Sequence, residues 1–441
     1  MVVLIRNFKN IFLVTELRNK LLFTLGVFAV YRLGTHIPIP GINTHVFSKM
    51  ISSGGVVGGL ISYLNLFSGG ALKRFAIFAL GMGPYINASI MIQLLTVMIP
   101  SLEQLSKEGE QGRRVINQYT RYLTLGLSVM YGLSTAMFVE RMEGLAIAPG
   151  WGFRLTTTII LTVGAMFVMW LGEQINSHGI GNGSSMIIFA GILANFPGAM
   201  MKVFEKIRLG GAEDIFWAGL LAVFTIAVIS CIVFLERGER RIPVQYAKRV
   251  VGQKVYGGQS SYIPLKLNSA GVIPVIFASA LISMPIAIIS LLSTKLPFLK
   301  VIAEEWLRYG GLLYSILTAG MIMFFSFFYT AIIFNPVELA DNIRKSGGFI
   351  PGIRPGRRTA DFFDYILTRV GFPGAVYLAV LAILPGIIQN MFPHFPTMFD
   401  GISLLIVVGV ALDTSSQLES QLIERRYEGF LSTGRLKGRR G

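Results

Sequence analysis

The sequence predicts an all-α polytopic membrane protein with ten transmembrane helices. Three observations lead to that class. Hydrophobic residues make up 53% of the chain and charged residues only 14%, against roughly 25% charged in soluble domains. Uncharged runs recur from end to end at about the ~20 residues that cross a hydrocarbon core. Lys and Arg, 39 against 23 Asp and Glu, gather in alternate connections.

The elements follow in order. Arg6, Lys9, Arg18 and Lys20 precede the apolar run Leu21–Tyr31, as in a signal peptide. Tyr31-Arg32-Leu33-Gly34 follows where a small-x-small cleavage site would stand, so the run reads as a retained first span. The ten spans fall at 20–38, 75–99, 120–138, 155–172, 184–202, 215–235, 268–293, 310–334, 370–390 and 401–419. An even number puts both termini on one side. The termini and connections 100–121, 173–183, 236–269 and 335–369 hold 27 of the basic residues, and the opposite connections hold 12. The positive-inside bias places the 27 in the cytoplasm. The chain then divides into a cytoplasmic N-terminus (1–19), a half of five spans (20–204), a polar connection (205–214), a second half (215–419) and a basic tail (420–441). An odd number of spans per half means the second enters from the opposite side. If the halves are related, they form an inverted repeat with a pathway at their interface.

Several function classes are disfavoured. Spans two to nine have no Asp, Glu, Lys or Arg in their interiors, leaving Arg32 near the outer end of span one and Asp413 near the inner end of span ten. Ion-coupled transport, which needs intramembrane ionisable groups, has little to work with. A pore-less insertase would need a charged polar groove, and an intramembrane protease a paired Asp or a Ser/His arrangement. Cys231 and the scattered His36, His45, His178 and His394 suggest neither a disulfide nor a metal cage. No phosphate loop or zincin motif is present. The expectation is no catalytic residue, no metal and no cofactor. A conduit driven by something outside the chain fits best.

Two stretches stand out. The apolar segment Leu60–Phe67 is too short to span, and Ser68-Gly69-Gly70 after it makes a flexible joint. Irregular backbone at membrane depth must be buried in protein or line a cavity, so the segment is either a re-entrant structural loop or a stopper on a hinge. Further on, Gly81-Met82-Gly83-Pro84 loosens span two near its middle. Asn87, Ser89 and Gln93 follow on neighbouring helical faces, as a polar seam or as ordinary helix–helix glue.

At this point long motifs resemble a known family. Ile77–Ile90 (IFALGMGPYINASI), Trp170–Phe189 (WLGEQINSHGIGNGSSMIIF), Glu236–Arg241, Tyr246–Arg249, Pro264–Asn268 and Phe349–Gly356 (FIPGIRPG) are similar, in order, to signatures of the SecY/Sec61-alpha family of translocation channels. The resemblance covers nearly the whole chain. It implies two inverted five-helix halves around a central pore with a short plug helix. The plug falls at about 60–74, with Leu64, Phe67, Gly69 and Gly70 in it. The lateral gate to lipid lies between spans two and seven, on Asn87, Gln93, Asn268 and Ser279. A pore ring falls on Met82, Ile86, Ser184, Ile188, Ile276 and Ile406. A narrow apolar ring dewets and blocks ions yet yields to a chain, and flexible Met82 suits such a gasket. Ser184 departs from the pattern by placing a hydroxyl where a bulky aliphatic is expected. Either the seal is slightly wetter and leans more on the plug, or the ring position is shifted by one turn. We take the former, so Ser184→Ile should change the ion leak of the resting channel by lowering it. An unchanged leak would refute that reading.

The resemblance also implies partners. Connections 236–269 and 335–369 hold 13 basic residues, a density that suits rRNA phosphates or an acidic protein face. In the family these loops dock the ribosome and the SecA motor ATPase. Arg354, between Gly352 and Gly356, matches the position central to both, with Lys248, Arg249 and Lys254 in support. SecE-type and SecG-type membrane subunits, signal peptides, translocating polypeptides and bilayer lipid complete the implied set. The implied location is the bacterial plasma (inner) membrane, with both termini cytoplasmic, or the thylakoid if the chain is plastid-encoded.

Overall fold

A computed structural model describes residues 14–43, 68–140, 144–209, 211–246, 249–251, 254–256, 260–268, 270–279, 281–282, 311–391 and 401–433. The described chain is mostly helical and divides into two compact units, residues 1–198 with 410–441, and residues 199–409. Among the described residues seven helices are long and apolar enough to cross a membrane, or eight if one bent pair counts as a span. The expected first span is a helix too, but Glu16, Arg18, Lys20 and Arg32 lie within its twenty residues. The expected seventh, 268–293, is described only as far as residue 282 and is helical over 273–279.

The first unit holds α1 (Thr15–Gly34), α2 (Gly83–Met98), α3 (Pro100–Lys107), α4 (Glu110–Glu140), α5 (Trp151–His178) and α6 (Gly183–Leu209), the last running on past the unit's edge. The start of α2 corrects one expectation. Pro84 does not loosen a longer helix; residues 68–82 form successive turns and the helix begins at Gly83. In a first turn proline's missing N–H costs no hydrogen bond and its fixed φ suits the helix. A second proline, Pro100, holds Ile99 extended (φ −107°, ψ 112°), and α2 and α3 meet there at 102°.

Helix α4 buries Gly112, Thr120, Thr124, Ser128, Gly132 and Ala136, small residues at intervals of four or eight. Gly112 meets α3, where a Cβ would fall 1.7 Å from the Leu105 carbonyl oxygen, and Gly132 lets α5 approach closely, a Cβ there lying 3.3 Å from the Thr158 carbonyl oxygen. The hydroxyls of Thr120 and Thr124 donate back to the carbonyls of Ile116 and Thr120, at 3.0 and 2.7 Å. Val139 of α4 with Phe153 and Leu161 of α5 joins Ile39, Ile42, Leu72, Phe75, Ala79 and Leu145 from the adjoining connections in one apolar cluster. The 68–82 turns are built into that cluster, and Phe75 is fully buried at φ +47°.

The second unit contains α7 (Ala212–Glu236), strands β1 (Glu239–Tyr246), β2 (Arg249–Val251), β3 (Lys254–Tyr256) and β4 (Ser260–Lys266), then α8 (Leu312–Ile333), α9 (Pro336–Lys345), β5 (Gly348–Phe349), α10 (Arg357–Met391) and the start of α11 (Gly401–Thr433). The strands amend the all-α expectation, because connection 236–269 is a β-ribbon. β1 is central in an antiparallel sheet ordered β4-β1-β5, with Ile242 opposite Ile263 and Gln245 opposite Phe349. β2 and β3 pair at its tip. Ile242 and Val244 point to one side and pack with Leu265, Ile343, Ile350, Phe363, Ile366 and Leu367. The ribbon is thereby fixed to α9 and the first turns of α10. Asn335 caps α9, its Oδ1 accepting from the Val337 and Glu338 amides at 3.1 and 3.4 Å.

Candidate functional site

The residues singled out in the sequence fall into four groups. Of the ring, Met82, Ile86, Ser184 and Ile188 belong to the first unit, and Ile276 and Ile406 to the second. Met82 is the N-cap of α2 and 1% exposed. Ile86 lies one turn on, its amide bonded to the Met82 carbonyl at 3.0 Å, and is half-buried. The start of α6 lies nearby: a Cβ on Gly172 of α5 would be 3.4 Å from Met82 Cε and 3.5 Å from Ile187 Cδ1. Glycine at 172 therefore leaves room for the beginnings of α2 and α6 to come together.

Ser184 sits in the first turn of α6, where Asn182 is the cap. Its Oδ1 accepts from the Ser184 amide (3.2 Å), the Ser184 hydroxyl (2.6 Å) and the Ser185 amide (3.4 Å). The Ser184 hydroxyl thus already has a partner within its own turn. The turn ahead of it is fastened from three helices. The Ile180 amide donates to Thr24 Oγ1 of α1 (3.2 Å), the Gly181 amide to Gln417 Oε1 of α11 (3.1 Å) and the Gly183 amide to Asn176 Oδ1 of α5 (2.7 Å). Asn182 directly ahead of Gly183-Ser184 was a legible capping signal; Thr24 and Gln417 carried none. Ile188, one turn further, is buried, as is Ile406 on α11, while Ile276 is half-buried.

Leu64 and Phe67 lie outside the described residues. Gly69 and Gly70 are described and left-handed, with φ +61° and +88°. Gly69 lies against Gly191 of α6, and Arg32 Nη1 donates to its carbonyl oxygen at 2.9 Å. Of the gate residues, Asn87 donates to Tyr131 Oη of α4 (2.9 Å), and exposed Gln93 reaches Ser89 Oγ at 3.4 Å. Asn268, 5% exposed, donates to Glu236 Oε1 at 2.5 Å, and the buried Ser279 hydroxyl bonds back to the Ile276 carbonyl at 2.8 Å.

The basic group has a scaffold. Arg354 is exposed in the turn between β5 and α10, where its own carbonyl accepts from Thr359 Oγ1 at 3.0 Å and Ile350 beneath is buried. Arg240, Arg241, Arg357 and Arg358 are exposed on the same sheet-and-helix body. Arg241 is held by Glu239 (2.7 Å) and stacks 4.8 Å over the Tyr262 ring. Lys248 lies outside the described residues; Arg249 and Lys254 start β2 and β3. No cluster of three His, Cys, Asp or Glu occurs among the described residues.

Many apolar helices, a small-residue packing seam and a cationic extramembrane body define a polytopic membrane protein. The SecY family profile matches residues 76–415. The protein translocase subunit SecY of Escherichia coli strain K12 is 47% identical over 428 residues, covering 96% of each chain. A solved SecY structure, described as having a plug domain that stabilises the closed channel and maintains a membrane seal, aligns with a TM-score of 0.61 at 17% identity, covering 92% of this chain and 93% of that one. Sec61 in a canine ribosome–channel complex aligns with a TM-score of 0.55 at 17% identity over 92% and 93%. The chain belongs to the SecY family.

Proposed function

We propose that the chain is the protein-conducting channel subunit of a Sec-type translocase. It passes unfolded preproteins across the plasma membrane and releases membrane helices sideways into lipid. The observation that carries this reading is family identity sustained along nearly the full chain, at 47% over 96% of its length. In this reading ten spans form two inverted halves, with termini and basic connections cytoplasmic. Met82, Ile86, Ser184, Ile188, Ile276 and Ile406 form the apolar ring, and residues 60–74 the plug. Asn87 and Gln93 face Asn268 and Ser279 across the gate. The apolar character of the ring and the charge-free span interiors support a passive pore.

Energy then comes from outside the chain. The sheet-and-helix body carries exposed Arg354, Arg240 and Arg241 on a fixed scaffold, supporting attachment of a ribosome or a SecA-type motor. Lys248, Arg249 and Lys254, from the same connection 236–269, are further candidates for that attachment. SecE-type and SecG-type subunits complete the complex.

The test replaces Cys231, then places single cysteines at Ile86, Ile188 and Ile276 of the assembled complex. An arrested secretory polypeptide bearing one cysteine is offered under oxidising conditions. Disulfides at all three positions, and none at exposed Val223 of α7 (66% exposed), are expected. No disulfide at any of the three, in a complex that still translocates, would sink the pore assignment.

A further inference from the structure

Arg32 is the basic residue inside the first span that neither membrane orientation nor a passive pore explains. Its guanidinium reaches 37 residues along the chain, Nη1 donating to the Gly69 carbonyl oxygen at 2.9 Å. The peptide it holds lies flat on α6. A Cβ on Gly69 would fall 2.8 Å from Gly191 Cα and 3.1 Å from the Tyr31 hydroxyl, and one on Gly70 3.2 Å from Asn195 Oδ1. Two consecutive left-handed glycines enter such a conformation at no steric cost and leave it as easily, with a large gain in backbone entropy. Something outside the pair must hold them. A charge-assisted bond from a planar guanidinium is about twice as strong as a neutral one, and low dielectric strengthens it further.

The arginine is itself braced. Its carbonyl accepts from Thr35 Oγ1 (2.7 Å) and from His36 Nδ1 (2.9 Å). His36 Nε2 in turn accepts from Arg74 Nη1 at 2.7 Å. The segment is thus fastened to the end of α1 twice, at Gly69 by Arg32 and at Arg74 by His36. Past Arg74 the Ile39 and Ile77 amides add backbone bonds to Phe75 and Ile37, each 3.0 Å.

We infer that Arg32 is a positioning residue: it clasps the Gly69 peptide and seats residues 68–74, the described end of the plug segment, against α1 and α6. The inference rests on the plug reading above only for its consequence, that a released segment unseals the resting channel.

The experiment uses the complete complex in lipid vesicles, with Cys231 replaced and one reporter cysteine at a time. Ala71→Cys reports on the clasped segment and Thr124→Cys on the part of α4 outside the cluster that holds that segment; both positions are fully buried. Arg32→Ala is expected to raise maleimide labelling at residue 71 about tenfold, the scale of one charge-assisted bond, and to leave residue 124 unchanged. Arg32→Lys should return most of the protection. Labelling that rises equally at both positions means general loosening and overturns the inference, as does no rise at residue 71. Resting ion flux is measured on the same vesicles. A rise in flux with selective labelling supports both clasp and plug. Selective labelling with unchanged flux keeps the clasp and refutes the plug.

Discussion

Gly183→Val is expected to stop the folded protein from accumulating in the membrane, and Gly183→Ala to lower its thermal transition in detergent by several degrees. A Cβ at residue 183 would stand 1.8 Å from the Gly172 carbonyl oxygen and 2.7 Å from its carbon. Both are backbone atoms, so no rotamer change relieves the clash. Helices α5 and α6 would have to part by more than about 1 Å, in a close-packed interior where overfilling costs about 1–3 kcal/mol or more. The same shift would pull on the Gly183–Asn176 bond and on the Asn182 cap that organises Ser184 and Ser185. Gly126 of α4, with nothing within 4 Å, is the control. Alanine there should be neutral or stabilising by up to about 1 kcal/mol, the helix-propensity difference. The membrane level of Gly183→Val and the transition temperatures of Gly183→Ala and Gly126→Ala decide the matter, and equal temperatures for 183 and 126 would refute the close-packing account.

The second large effect concerns ion tightness. The double variant Ile86→Asn with Ile276→Asn should pass ions across a resting membrane tenfold faster or more, corresponding to a barrier lowered by about 1.4 kcal/mol. These two are chosen because both are half-buried within their own units, whereas Ile188 and Ile406 are only 3% and 2% exposed. An amide at either buried position would damage packing and confuse a seal with a fold. Asparagine at 86 and 276 wets the proposed ring with little strain, and a wet constriction conducts. Conductance of the reconstituted complex is the measurement. Parent-level conductance in an intact complex would remove these residues from the seal.

Much of the architecture was legible because membrane spans are long, uncharged and bounded by basic connections. What failed was local. The uncharged run continues upstream of Pro84 and hides a helix boundary, so a proline that is a start signal in a first turn reads as a weak point within a helix. The ribbon is hard to read from the sequence, since Pro243 and Pro264 argue against strands. β5 pairs with Gln245 and Tyr246, so beside Pro243 the β5 side of β1 has no strand neighbour among the described residues, an edge of the kind where proline is tolerated. The alternation of Ile242 with Val244 and of Ile263 with Leu265 was the period-two signal available. Arg32 was conspicuous as an intramembrane charge, yet its role was invisible because its partner is a peptide carbonyl, which leaves no mark in composition. The ring candidates came from motif resemblance; apolar side chains among apolar neighbours carry no signal of their own.

The ribbon leaves α7 and returns at one point, where the Leu267 amide donates to the Gly238 carbonyl at 2.9 Å and Glu239 stands opposite Lys266. Its two feet are stapled together before the chain re-enters the membrane. Extra residues between β2 and β3 would therefore change how far the ribbon projects and leave the spacing of the feet untouched. That makes the tip a place for adjustable reach: related chains could vary its length, and an inserted epitope or fluorophore sequence could be accepted there, with the membrane domain undisturbed.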